Sequence, residues 1–227
     1  MNQPIDFGPL YAETDMSRFP VEPWNTASNL IFLALIIYFG IKTKGNGGKH
    51  PLIVTSLPIL LIGFIGGTVY HATRSSNLWL YLDFMPILIL TVVGSCYFLA
   101  ELLRSRIRAI LAAFLLLAFL RALRGIFEIP HNLSISIGYG MTALLVIVPA
   151  LLVARAGGWK NVQLVILAIL SFGTALSCRI LDSTLGQAYL PMGTHFLWHL
   201  LGGVAVFCMM EFIFRRDLHG NYSRNLR

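Results

Sequence analysis

Two histidines near the start of the last apolar stretch, His195 and His199, have the spacing of a metal site. Residues four apart lie on one face of a helix, one turn from each other, so the two imidazoles can bind one ion. The alternative is two unrelated histidines, each satisfied by a hydroxyl group or a water. An ionisable side chain inside a membrane span is costly and indicates function, which favours the metal site if the stretch lies in lipid.

The composition places that stretch in a membrane. Of 227 residues, 56% are hydrophobic and 12% are charged, and the mean hydropathy is +0.73. These values indicate a polytopic all-α membrane protein rather than a soluble domain. The net charge of +7 does not predict nucleic-acid binding, because the basic residues fall in short clusters between apolar runs. Cys96, Cys178 and Cys208 lie inside apolar stretches, which predicts free, buried thiols.

Seven stretches are long enough to cross a hydrocarbon core, which takes about 20 residues. They lie at roughly 25–42, 51–72, 77–102, 107–123, 134–154, 161–182 and 192–214. We therefore predict a seven-helix transmembrane bundle over 25–214, an acidic segment over 1–24 with no cleavable signal peptide, and a basic tail over 215–227. Composition alone favours solvent exposure for the acidic segment. Twelve basic residues fall on the C-terminal side of the membrane and five on the other, so the N-terminus is predicted outside and the C-terminus in the cytoplasm.

This orientation sets the depth of two more side chains. His71 ends the second span, Asp83 begins the third, and each is six residues from Asn77 in the turn between them. At 1.5 Å per residue, both lie about 9 Å below that turn. His195 and His199 begin the last span on the same side. Three histidines and an aspartate therefore share one layer, although depth does not show which spans are neighbours.

The layer predicts a catalytic zinc site. Three protein ligands with a fourth position open to water are typical of catalytic zinc, which makes water acidic enough to ionise near neutral pH. Asp83 is a candidate fourth ligand, an orienting residue or the general base for that water, and we favour the base; a salt bridge to Arg74 or Arg179 is the alternative.

Other polar residues carry weaker signals. Arg179 and Asp182 are three apart at the end of span six, where they either bind a polar substrate head or pair with each other. Glu13, Asp15 and Glu22 offer oxygen ligands that suit calcium. His50, His131 and His219 fall in predicted loops or the tail, where we expect solvated side chains.

At these residues the chain resembles the alkaline ceramidase family, part of a wider group of seven-span metal-dependent hydrolases that includes the adiponectin-receptor-like proteins. Four blocks in order carry the resemblance: Glu22–Leu30, His71–Thr73 with Leu82–Pro86, Arg179–Asp182, and Gly193–His199. It implies zinc on His71, His195 and His199, Asp83 beside the zinc-bound water, and hydrolysis of the amide bond of ceramide to a sphingoid base and a fatty acid. The last block is most similar to bacterial members, which favours a bacterial inner membrane with a periplasmic site over the endoplasmic reticulum or Golgi.

The sequence departs from that family in three places. The serine that usually precedes the first zinc histidine by four residues is Gly67 here, and the adjacent Thr68 is the candidate replacement. The aspartate that begins the family's calcium site is Leu10, which leaves Glu13, Asp15 and Glu22. Two family cysteines are replaced by Ala12 and Gly186.

Two rival functions remain open at this stage. A seven-span receptor or sensor with a structural zinc would bind the metal without turnover. A hydrolase of another N-acyl lipid or of a lipid ester would share the site and differ in substrate. A retinal-binding pump is disfavoured, because no lysine lies inside a predicted span to form a Schiff base.

Overall fold

The computed structural model describes residues 4–126, 131–186 and 189–218, and the regular secondary structure of these residues is helical, with no strand. Its helices are α1 (Pro23–Ser28), α2 (Leu30–Thr43), α3 (Pro51–Thr73), α4 (Asn77–Leu103), α5 (Arg106–Ile126), α6 (His131–Ala156), α7 (Val162–Leu181) and α8 (His195–Leu218). A 3-10 turn covers Gly47–Lys49, and a π-helical turn covers Asp182–Gly186.

Within that part of the chain, seven helical stretches are long and apolar enough to cross a membrane, with α1 and α2 together forming the first. The seven predicted spans are confirmed, with ends that differ by a few residues. The fourth, whose end carries Arg121 and Arg124, continues to Ile126. Which terminus faces outside stays a prediction.

The hairpin of α3 and α4 carries two of the candidate site residues. Arg74 ends α3 in a left-handed conformation (φ 47°), and Ser76 caps α4 by accepting a hydrogen bond from the Leu78 amide. A Cβ at Gly66 would lie 2.5 Å from the Leu82 carbonyl carbon, so a glycine is needed where the two backbones meet. Small residues allow such close packing of helices in lipid. His71 and Asp83 lie on the two sides of this contact.

The densest apolar packing lies in the half of the bundle away from the histidines. Phe39, Ile53, Phe98, Val153 and Phe212 are almost completely buried there, at the ends of five helices. Polar pairs close the same end: Lys42 with Glu211, Arg216 with Glu101, and His50 with Asp217 at 3.2 Å. The opposite half, which we call the histidine end, holds the polar groups described below.

The expectation of a solvated His50 is wrong, because the imidazole is 1% exposed, stacks on Phe214 and contacts Asp217. The sequence could not show this, since the partner residues lie at the far end of the chain. The side chain of His131, and all of His219, lie outside the described residues. The three cysteines are free, as predicted, although only Cys208 is fully buried.

The N-terminal segment is not the solvated tail that composition favours. Its backbone joins the end of α3, where the amides of Val21 and Glu22 donate to the carbonyl oxygens of Ala72 and His71 at 2.9 and 3.1 Å. Asp6, Glu13 and Glu22 are buried. Carbonyl groups at a helix C-terminus lack hydrogen-bond donors within the helix, and amides of the N-terminal segment supply these donors to α3. The segment therefore packs on the histidine end of the bundle.

Candidate metal centre and lipid cavities

His71 from α3 and His195 and His199 from α8 meet inside the bundle. One ligand atom from each lies within 4.8 Å of the others, and the three side chains are at most 4% exposed. The ring centroids are 4.8 to 5.4 Å apart. Among the described residues this is the only group of three or more potential ligands that are close enough to share an ion. The structure thus brings together the three histidines that spacing and depth place in one layer and that the family resemblance implies as zinc ligands.

The hydrogen bonds around these rings fit a metal ion. His71 Nδ1 lies 2.5 Å from Glu22 Oε2, and His199 Nδ1 lies 2.7 Å from Ser28 Oγ. His71 Nε2 and His195 Nδ1 are buried without a hydrogen-bond partner. Leaving a buried ring nitrogen without a hydrogen bond is costly. A histidine that ligates a metal through one ring nitrogen characteristically has its other ring nitrogen held by a carboxylate or another acceptor. Neutral imidazoles in this arrangement suit zinc.

Glu22 and Ser28 contact the clustered histidines, and the sequence predicts neither contact. It indicates Glu22 only as a possible calcium ligand. Both belong to the block Glu22–Leu30, which carries a resemblance but has no spacing that points to the histidines. The contact of Ser28 with His199 joins residues 171 positions apart.

Arg74 extends this arrangement from His71 into the N-terminal segment. Its guanidinium donates to Glu22 Oε1 at 2.7 Å and to both carboxylate oxygens of Asp6 at 2.7 and 2.9 Å. All three side chains are buried. Burial opposes ionisation of Glu22, but the hydrogen bond to His71 and the charge of Arg74 outweigh it and hold the pKa of Glu22 below its usual value. Glu22 is therefore a carboxylate able to orient His71.

Asp83 faces the same region without a protein partner. No described side chain forms an ion pair with its carboxylate, and Arg74, one of the alternative partners, is bound to Asp6 and Glu22 instead. Asp83 is also outside the group of ligand atoms within 4.8 Å. A free carboxylate that faces a cavity is placed as a general base would be.

Gly67, rather than Thr68, faces Asp83. A Cβ at Gly67 would collide with Asp83 Oδ1 and lie 2.9 Å from Asn29 Oδ1. Thr68 lines neither of the two cavities described below, and its hydroxyl is buried without a partner. Successive helical residues point about 100° apart, so the structure does not bring Thr68 to the site.

Two aromatic residues at the site were not predicted. The Tyr11 ring stacks on His195 with centroids 3.8 Å apart, and Tyr139 of α6 lies beside Trp198 of α8. Burial raises the pKa of the Tyr11 hydroxyl, so this group remains a neutral donor. No spacing in the sequence relates Tyr11 to the spans, because it lies in an irregular segment.

Arg179 and Asp182 are not paired with each other. Asp182 accepts hydrogen bonds from the amides of Ala12, Thr194 and His195 at 2.7 to 2.9 Å, so it caps α8 and holds the N-terminal segment. Arg179 donates to Ser136 Oγ at 3.2 Å and lies over the Tyr139 ring. Of this pair, only Arg179 faces the cavities.

Two cavities meet at this site. The first, about 240 Å³, runs through the bundle from Asp83, His195 and His199 to Leu52 and Ile213. From His199 to Ile213 helix α8 rises about 21 Å, which matches a long acyl chain. The second, about 320 Å³, lies among α4, α5 and α6 and the N-terminal segment. Six residues line both cavities: Tyr11, Asp83, Ile87, Tyr139, Thr142 and Arg179.

A comparison with protein families agrees with this geometry. A family model described as Ceramidase matches residues 13–224, which is most of the chain. The chain belongs to the ceramidase family. No curated protein sequence matches it. The resemblance first identified from four blocks is thus confirmed, and the seven apolar spans are consistent with an integral membrane protein that acts on a lipid.

Family membership leaves the calcium prediction untested, and the structure gives the three acidic residues other partners. Glu13 accepts from the amides of Trp24 and Asn25 at 2.5 and 2.9 Å, which caps α1, and burial raises its pKa. Asp15 is exposed and accepts from Ser17. Glu22 binds His71 and Arg74. Their oxygen atoms do not form a group of three close ligands within the described part of the chain.

Proposed function

We propose that this protein is a zinc-dependent hydrolase that cleaves the amide bond of ceramide within the membrane. The observation that carries the proposal is the position of Asp83, which lines both cavities where they meet, beside the histidine cluster whose His195 and His199 line the first cavity. A two-chain lipid bent at its amide would place one chain in each cavity and the scissile carbonyl beside Asp83. Ceramidase family membership supports an amide as the bond cleaved.

His71, His195 and His199 would hold the zinc ion. Bound there, zinc would polarise the amide carbonyl and make a water molecule more acidic. Glu22 fixes His71 with Nε2 free to bind, and the Ser28 hydroxyl orients His199. These contacts keep the rings from rotating, as is common around metal sites.

The Asp83 carboxylate would take a proton from the attacking water. The water oxygen forms a bond to the carbonyl carbon, the carbon–nitrogen bond breaks, and the nitrogen accepts the proton from Asp83. The products are a fatty acid and a free sphingoid base. General acid–base catalysis of this kind contributes about 10² to 10⁴ to the rate. The Tyr11 hydroxyl, which lines both cavities, is available to donate a hydrogen bond to the carbonyl oxygen as negative charge develops.

The excess of basic residues at the opposite end supports an orientation in which the histidine end is outside. In a bacterium, Asp83 and the histidines would then act on the periplasmic side of the inner membrane. Accessibility of a cysteine introduced at Asp15 to a membrane-impermeant maleimide, in intact spheroplasts, tests this orientation. Labelling that occurs only after lysis would show the opposite orientation, with the histidine end in the cytoplasm.

Elemental analysis combined with a ceramide assay tests the function. Purified wild-type protein is compared with His195→Ala and with His219→Ala, a matched change in the tail. We expect about one zinc per chain and hydrolysis of a fluorescent short-chain ceramide in the wild type and in His219→Ala, with both lost in His195→Ala. Zinc without hydrolysis of any lipid amide or ester would instead support a receptor. A folded wild type without zinc would contradict the proposed site.

A further inference from the structure

Three arginines at the histidine end form no ion pair with any carboxylate of the described residues. Among the described residues, Arg74 is neutralised by Asp6 and Glu22, whereas Arg121, Arg124 and Arg179 form no ion pair. Glu128, four positions after Arg124, lies outside the described residues. Arg121 is exposed, and both Arg121 and Arg124 lie in the last two turns of α5. What distinguishes the three arginines is therefore the cavity that they share.

All three of these arginines line the second cavity. Arg121 and Arg124 are three residues apart on one face of α5, and Arg179 reaches the cavity from the end of α7. Neutral groups orient two of them: Arg124 donates to Ser134 Oγ, and Arg179 donates to Ser136 Oγ. A hydroxyl group positions a guanidinium but does not neutralise its charge. Asp83 is the only carboxylate among the described residues that line this cavity, so three guanidinium groups face one carboxylate and the lining is positive overall.

The rest of the second cavity is apolar. Its walls include Leu80, Phe84 and Leu88 from α4 and Leu117 and Leu120 from α5. This combination of an apolar wall and clustered guanidinium groups suits a lipid chain attached to an anionic head. Guanidinium groups bind phosphate oxygens in a bidentate manner, which favours a head group that carries a phosphate over a neutral head group.

We propose that the preferred substrate is an N-acyl lipid whose head group carries a phosphate, bound by Arg121, Arg124 and Arg179. This inference rests on the proposed function, because the second cavity meets the first at Asp83, where the amide would be cleaved. With its acyl chain in the first cavity, the substrate has its second chain and phosphate in the second cavity. A neutral ceramide would leave the three guanidinium groups with Asp83 as the only carboxylate in the described lining of the cavity.

Two matched substrates test this proposal: a fluorescent ceramide, and the same ceramide with a phosphate on its primary hydroxyl group. Both are presented to zinc-loaded protein in neutral detergent micelles. The variants are Arg121→Gln combined with Arg124→Gln, and Arg108→Gln as control. Arg108 is exposed on the same helix, at the other end, and lines neither cavity.

We expect wild type and Arg108→Gln to prefer the phosphorylated substrate by about tenfold or more in kcat/KM, since charge-assisted hydrogen bonds are strong enough for such a ratio. The double variant should lose that preference through a higher KM for the phosphorylated substrate, whose kcat/KM should fall much more than that of the neutral ceramide. Equal use of both substrates by the wild type would overturn the proposal. So would a double variant that keeps the preference.

A binding measurement separates this proposal from the proposed function. Asp83→Asn protein should bind the phosphorylated ceramide without turnover, and the added arginine substitutions should weaken that binding by about tenfold. If neither ceramide is hydrolysed but this difference holds, the phosphate site stands and the reaction is wrong. If bulk anionic lipid without an amide competes equally well, the arginines bind the membrane surface and the proposal fails.

Discussion

Glu22 Oε2 lies 2.5 Å from His71 Nδ1, so an acidic residue of the N-terminal segment holds the first of the three clustered histidines. The same carboxylate accepts from Arg74 through its other oxygen. A histidine fixed in this way presents Nε2, which is buried and unpaired here. The segment before the first span therefore belongs to the candidate metal centre.

Replacing Glu22 with Gln should weaken zinc binding. The amide can still accept a hydrogen bond but lacks the charge that stabilises His71 as a ligand, and loss of such a partner typically costs about 10- to 100-fold in metal affinity. Competition with a chromogenic chelator measures the change. Asp15→Asn, in an exposed turn of the same segment, is the control and should bind zinc as the wild type does. Unchanged affinity in Glu22→Gln would remove Glu22 from the metal centre.

Replacing Asp83 with Asn should separate metal binding from turnover. The carboxylate has no ion-pair partner among the described residues and lies outside the ligand group, so its loss should leave zinc content near one per chain. Hydrolysis of ceramide should fall by about 10² to 10⁴ if Asp83 is the general base. Zinc analysis and the rate are measured on the same preparation. A loss of zinc in this variant would make Asp83 a ligand, and an unchanged rate would mean that another group takes the proton.

Introducing a serine at Gly67 should lower activity rather than improve it. The new Cβ would collide with Asp83 Oδ1 and crowd Asn29, so Asp83 must shift. A displacement of about 1 Å at a catalytic group can cost about a hundredfold. Gly173→Ser is the control, because a Cβ there meets nothing within 4 Å. Thr68→Ala, measured beside them, should keep the wild-type rate. A gain of activity in Gly67→Ser would show that the site accommodates the serine.

Removing the Asp182 carboxylate should loosen both segments that it joins. Its oxygens accept from the amides of Ala12, Thr194 and His195, and Asp182→Ala leaves these three donors without that partner. Loss of a helix cap costs about 1 to 2 kcal/mol of stability. Hydrogen exchange, followed by mass spectrometry, should become faster at residues 10–14 and at the start of α8. Exchange confined to the start of α8 would show that the N-terminal segment is held by other contacts.

Chelation of the metal should lower the thermal stability of the wild type. A ligand present at a hundred times its dissociation constant adds about 2.7 kcal/mol to the folded state. The melting temperature of protein treated with a strong chelator should therefore fall and recover with added zinc. His195→Ala should melt at the same temperature with or without the chelator. A wild type that melts identically in both conditions would speak against a bound metal.

Spacing along the sequence determined the number of membrane-spanning helices and the depth of the candidate site residues. Apolar runs of membrane-spanning length predicted seven helices, because in lipid a backbone must satisfy its own hydrogen bonds within a helix. The four-residue interval placed His195 and His199 on one face of α8. Counting from the turn at Asn77 placed His71 and Asp83 at one depth, since the rise of a helix is constant.

Tertiary structure decided what lies beside that layer. Ser28 reaches His199 across 171 positions, and Tyr11 stacks on His195 from an irregular segment with no periodicity to read. Spacing measures depth along a helix but not which helices are neighbours. It therefore indicates Arg179 as a candidate for a polar substrate head but predicts neither the cavities nor the position of Arg121 and Arg124 beside Arg179. For the same reason, His50 was assigned to solvent although it is buried against the end of α8. Interactions along one helix follow from sequence, whereas contacts between helices depend on how the bundle packs.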